Sequence, residues 1–124
     1  MMDAEYPHGE ALVPAAFDLH TVVLLVRPPD APPFDAQELD RLQGEHLAYL
    51  RQLARDGVLI ANGPLADQTD ERLRGISIYA APLDKALTLA RADPMVRAGR
   101  LAIEGARWYT ASGTARFGPI DGTD

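Results

Sequence analysis

The apolar positions of this chain change period several times, and each change marks an element. From Phe17 to Arg27, the residues Leu19, Val22, Val23, Leu24, Leu25 and Val26 make a nearly continuous apolar run. Continuous apolarity with β-branched side chains predicts a central strand covered on both faces. Leu39, Leu42, Leu47, Leu50, Leu53 and Ala54 then recur at helical spacing and predict an amphipathic helix. Asp35-Ala36-Gln37-Glu38 reads as its capping box, with Asp35 as N-cap and Glu38 reaching back. Asp56-Gly57 ends the helix, because Gly57 suits the left-handed position just past it. Val58-Leu59-Ile60-Ala61 reads as a short buried strand stopped by Asn62-Gly63-Pro64.

Residues 65–74 are polar and read as a loop. Gly75 to Ala81 alternates and predicts a third strand: Ile76, Ile78 and Ala80 on one face, Ser77, Tyr79 and Ala81 on the other. Pro82 opens a second helix, with Leu83, Ala86, Leu87 and Ala90 as its buried stripe. Asp93-Pro94 breaks it, Met95 to Ala98 allows one more turn, and Gly99 closes that turn. Arg100 to Thr110 is the last strand, with Leu101 and Ile103 on one face.

The order β-α-β-β-α-β predicts an α+β, ferredoxin-like fold: a four-stranded antiparallel sheet with two helices on one face. The second sheet face then needs a cover, since the first strand carries apolar residues on both of its faces. Residues 17–110 form the expected domain, between a flexible leader at 1–16 and a flexible tail at 111–124. Arg27-Pro28-Pro29-Asp30-Ala31-Pro32-Pro33 cannot continue a strand, and this loop is expected to shape a cleft.

Charge and composition narrow the function. A net charge of −6 and a pI near 4.9 argue against a binder of nucleic-acid backbones, and the arginines are scattered without a basic patch. The same charge suggests a neutral or cationic ligand. The absence of Cys removes disulfides, thiolate metal sites and thiol nucleophiles, and fits a reducing, cytoplasmic setting. No apolar run approaches the ~18 residues of a membrane span, and the N-terminus lacks the basic region of a signal peptide. Neither a metal-ligand spacing nor a phosphate or dinucleotide fingerprint is present, so no cofactor is expected.

His46 lies four residues after Leu42 and four before Leu50, on or beside the buried stripe of the first helix. A core-edge histidine satisfied by a carbonyl is one reading. A proton-transfer group is the other, since imidazole suits that work near neutral pH. Gly44, two residues earlier, is either a tolerated surface glycine or a place where a ligand or backbone comes close. Asp93 before Pro94 is well suited as a helix cap, and equally able to orient an imidazole. Ser77 and Tyr79 share a strand face and are candidate ligand contacts if that face borders the cleft, against plain packing otherwise. His20 begins the first strand and His8 lies in the leader. The amides around Asn62-Gly63-Pro64 are a weak candidate anion contact, and Trp108-Tyr109 reads as core or interface.

The ordered pattern His46…Leu50…Gly57…Gly63-Pro64, followed by Asp93-Pro94…Gly99, resembles the YCII-related family over roughly residues 18–110. The resemblance implies a dimeric α+β barrel in which His46 and Asp93 form a catalytic His-Asp dyad. It often carries an aromatic after Asp-Pro, where this chain has Met95. The reading that follows is a cofactor-independent enzyme, isomerase- or lyase-like, using general acid/base chemistry on a small molecule. Its rivals are a non-catalytic small-molecule-binding or regulatory homodimer, and a plain interaction module.

Overall fold

The computed structural model describes residues 16–117. The leader at 1–16, apart from Ala16, lies outside the described residues, as do His8 and the tail beyond 117. Strand β1 (Phe17–Val26) leads through the Pro-rich loop to helix α1 (Ala36–Arg55). Strands β2 (Leu59–Pro64) and β3 (Leu73–Tyr79) follow, then helices α2 (Leu83–Arg91) and α3 (Pro94–Arg97), and strand β4 (Ala102–Ala111). All pairings are antiparallel and the strand order is β2-β3-β1-β4. This is the α+β, ferredoxin-like βαββαβ arrangement expected from the sequence.

Local chemistry accounts for the boundaries. The capping box is made: the Glu38 backbone N–H donates to Asp35 Oδ1 at 2.8 Å, and the Asp35 backbone N–H to Glu38 Oε1 at 3.4 Å. Gly57 at φ +80° and Gly99 at φ +82° turn the chain out of α1 and α3 in the left-handed region that L-residues avoid. Pro32 packs against Gly99, where a Cβ would sit 3.3 Å from its ring.

Two expectations need correction. β2 does not stop at Asn62 but runs through Pro64, and it is an edge strand rather than a buried one. It pairs only with β3, so a proline without an N–H is tolerated there. Leu47 and Ala54 are exposed, and the buried stripe of α1 is Leu42, His46, Leu50 and Leu53. Both side chains sit beside the stripe. Gly44 is the surface glycine of the two readings: nothing lies within 4 Å of where its Cβ would be.

The helices lie on one sheet face. Val23, Leu50, Leu53, Leu59, Tyr79, Ala86 and Ala90 form the main core between sheet and helices. A second cluster, Leu42, Met95 and Leu101, lies toward α3, with Leu25 and Phe34 packed against it. Register puts Thr21, Val23 and Leu25 of β1 opposite Tyr79, Ser77 and Gly75 of β3 on the helix face. The other face carries Val22, Leu24, Ile76, Ile78, Ala106 and Trp108, the last 44% exposed.

Candidate active site

α1 and the turn before α3 meet through two side chains. His46 projects from the buried stripe of α1, and Asp93 is the N-cap of α3. Their atoms Nδ1 and Oδ2 are 2.7 Å apart. Both groups are buried, His46 to 8% and Asp93 to 2% exposure. A carboxylate so deep costs free energy unless its oxygens are bonded. Each oxygen has a partner: Oδ1 accepts the Met95 backbone N–H at 2.9 Å, and Oδ2 faces the imidazole. Asp93 is thus at once a helix cap and the partner of His46.

This arrangement fixes the ring. An ionised carboxylate only accepts, so Nδ1 carries the proton and donates. Nε2 is then the basic nitrogen, and it has no hydrogen-bond partner among the described residues. His46 also lines a cavity of about 280 Å³ between α1, α3 and the ends of β1, β2 and β3. Its apolar wall includes Leu25, Leu50, Met95 and Leu101, and its polar groups include His46, Gln43, Asn62 and Ser77. An imidazole with one nitrogen anchored and the other free at a small cavity can take or give a proton there.

The sequence candidates separate here. Ser77 and the Asn62-Gly63-Pro64 segment line the cavity. Met95, standing where an aromatic was the alternative, forms part of its wall. Tyr79, on the same strand face as Ser77, is 4% exposed in the main core and is not among the cavity-lining residues. Burial, then the nearby Tyr49 and the Asp93 carboxylate, push the Tyr79 phenol up to about 12. Tyr49 is also raised, by burial and then Asp93, and its hydroxyl donates to the Leu89 carbonyl at 2.7 Å. The Pro-rich loop does not form the cleft: of residues 27–33 only Arg27 lines it.

His20 does not approach the cavity. Its Nε2 is 3.1 Å from Thr110 Oγ1, and its ring meets Trp108 and Phe117 on the other sheet face. The residues that sequence reasoning missed are Arg27, Arg74 and Arg100, which all line the cavity. They are far apart in the sequence and come together only through pairing. The Arg27 backbone N–H donates to the Arg72 carbonyl at 2.8 Å, which sets the end of β1 beside the start of β3. Among the described residues no group of His, Asp and Glu is arranged to hold a metal ion. No helix among them is long and apolar enough to cross a membrane.

Comparison with known proteins agrees with this architecture. A family model of the YCII-related domain matches residues 21–104. Among solved structures, the chain is similar to 5-chloro-2-hydroxyhydroquinone dehydrochlorinase from Burkholderia phenoliruptrix AC1100 in complex with 2,5-dihydroxybenzoquinone. The TM-score is 0.51 and the identity 23%, covering 73% of this chain and 93% of that one. No curated protein matches.

Proposed function

The chain belongs to the YCII-related domain family, and from that premise we propose that it is an acid/base enzyme acting on a small molecule through His46. The observation that carries the reading is the 2.7 Å contact of His46 Nδ1 with buried Asp93, which leaves Nε2 as the free base at the cavity. Nε2 removes a proton from a carbon or hydroxyl of the bound molecule. The imidazolium so formed is stabilised by the Asp93 carboxylate, which keeps Nδ1–H oriented throughout. The same ring returns the proton to another atom, giving an isomerisation, or gives it to a leaving group, giving an elimination.

His46 is the catalytic residue of this scheme and Asp93 its positioning residue. Ser77, which lines the cavity, is a ligand contact in this scheme. Tyr79, which the sequence also offered as a ligand contact, is assigned to the packing behind the dyad. The structural neighbour is a dehydrochlorinase in complex with 2,5-dihydroxybenzoquinone, and both the activity and the ligand are compatible with this chemistry. At 23% identity that likeness supports the fold rather than the substrate. We further propose a homodimer formed through the sheet face that carries Trp108, with light scattering expected to give twice the 13.4 kDa chain mass. A monomeric mass removes that part of the reading.

Solvent exchange tests the chemistry without knowledge of the substrate. A panel of enolisable ketones, lactones and hydroxyquinones in D2O, followed by proton NMR, is expected to contain compounds whose acidic C–H exchanges with the wild-type protein. His46→Ala should slow that exchange by about 10²- to 10⁴-fold, as for loss of a general base. Binding without exchange supports the non-catalytic rival, and equal exchange by wild type and variant rejects His46 as the base.

A further inference from the structure

The acid/base scheme leaves three cavity-lining arginines without a role. Arg27 follows the last residue of β1, Arg74 lies in β3, and Arg100 follows Gly99. Among the described residues, none of the three forms an ion pair with a carboxylate. Arg74 Nη1 donates only to the Glu71 carbonyl, at 3.3 Å. Arg27 Nε is a buried side-chain donor with no partner. Asp40 lines an adjoining hollow with Arg27 and Arg100 but pairs with neither.

Buried donors are normally satisfied, and an exception calls for an explanation. Burial, then the positive charges of Arg100 and Arg74, hold the Arg27 guanidinium below its usual proton affinity. The three cations have no paired carboxylate among the described residues. An incoming anion would supply that counter-charge, and guanidinium forks match paired oxygens of a carboxylate or phosphate. The net charge of −6 does not forbid it, because the local field of a cleft follows its own walls.

We propose that the cavity takes a small organic oxyanion, its charged head held by Arg27, Arg74 and Arg100 and its apolar body resting on Leu25, Leu50 and Met95. The inference rests on the acid/base reading of the site and names its substrate class. Anchoring the head at the arginines presents the carbon skeleton to His46 Nε2. A carboxylate and a phosphate offer the same recognition chemistry, and the neutral ligand suggested by overall charge does not.

The test is an NMR titration of the full chain with benzoate, phenyl phosphate and the neutral isostere benzamide. Wild type, Arg27→Gln, Arg100→Gln and His46→Asn are compared, each verified as folded by its amide spectrum. At least one anion is expected to bind about tenfold or more tighter than benzamide, the scale of one charged hydrogen bond. Each arginine variant should weaken that anion by about tenfold or more and leave benzamide unchanged, while His46→Asn retains it. The tighter of the two anions identifies the head group. Should Arg27→Gln fail to fold, Arg100→Gln alone decides. The inference is overturned if neither anion shifts the cavity residues, if benzamide binds as well as both, or if the folded arginine variants bind the anion unchanged. Anion selectivity without proton exchange leaves a binding site and rejects the acid/base reading. Proton exchange without anion selectivity rejects only the oxyanion.

Discussion

The two ends of the space between sheet and helices are built differently, although α1 spans both. Under α2 the space is filled. Ala86 is fully buried and Ala90 nearly so, and Gly105 of β4 leaves room for Leu83 and Leu87, whose ends lie 2.9 and 2.8 Å from where its Cβ would be. Small residues let helix and strand approach, so this end is close-packed. Under α3 the packing is looser. Met95, Leu42 and Leu101 close only part of the gap, and the rest is the cavity with His46 and three arginines. One end contributes stability through close packing, while the other sacrifices packing to hold unpaired polar groups. Proteins that keep a functional site commonly show this division.

Mutation should separate the two ends. The largest expected effect on stability is at the filled end. Leu53→Ala, at a residue 5% exposed in the main core, should lower unfolding free energy by about 2–5 kcal/mol in urea, with the His46–Asp93 contact intact. A smaller loss would mean that this end is less well packed than described. Asp93→Ala comes next. It removes the α3 cap and leaves His46 Nδ1 unpaired, and should cost about 2–3 kcal/mol. Asp93→Asn retains a capping oxygen, so its stability should fall less while any proton-exchange activity falls with the loss of imidazolium stabilisation. If Asn preserves both, Asp93 is a cap alone.

Alkaline pH sharpens the comparison from the border between the ends. Tyr79 in the unfolded chain loses its proton near 10, whereas in the fold it holds it to about 12. The folded state therefore binds more protons across that interval. Stability should be intact below pH 10 and fall as pH rises toward 12. The raised Tyr49 adds in the same direction. Tyr79→Phe should flatten the decline in denaturation curves taken across this range, and an unchanged slope would assign it to other groups. The smallest effect is expected at Gly44, on the exposed face of α1. Gly44→Ala should raise stability by about 1 kcal/mol, because the helix gains propensity and the new methyl meets nothing. Loss of ligand binding in that variant would restore the reading in which a ligand approaches the helix there.

Much was legible in the sequence because it depends on near neighbours. The capping box at Asp35 and Glu38, the left-handed stops at Gly57 and Gly99, and the Pro94 start of α3 each follow from a few adjacent residues. The period of Leu42, His46, Leu50 and Leu53 put the imidazole on the inner face of α1, and the order of periods gave the topology. Other features depended on pairing at a distance. Leu47 sits within the apolar spacing yet is exposed and lines the cavity instead of the core, since the width of the stripe is set by what the helix rests against. Asn62-Gly63-Pro64 looks like a stop and is a strand, because β2 is an edge and an edge tolerates proline. Ser77 and Tyr79 alternate identically, yet only Ser77 reaches the cavity, since two residues along a strand is enough to pass from its wall into the core. The chain therefore determined its elements, their order and the face on which His46 lies. Tertiary structure alone brought Asp93 to 2.7 Å from that ring and gathered Arg27, Arg74 and Arg100 around one cavity. Contacts between residues tens of positions apart are fixed by strand register and helix packing, which no local pattern encodes.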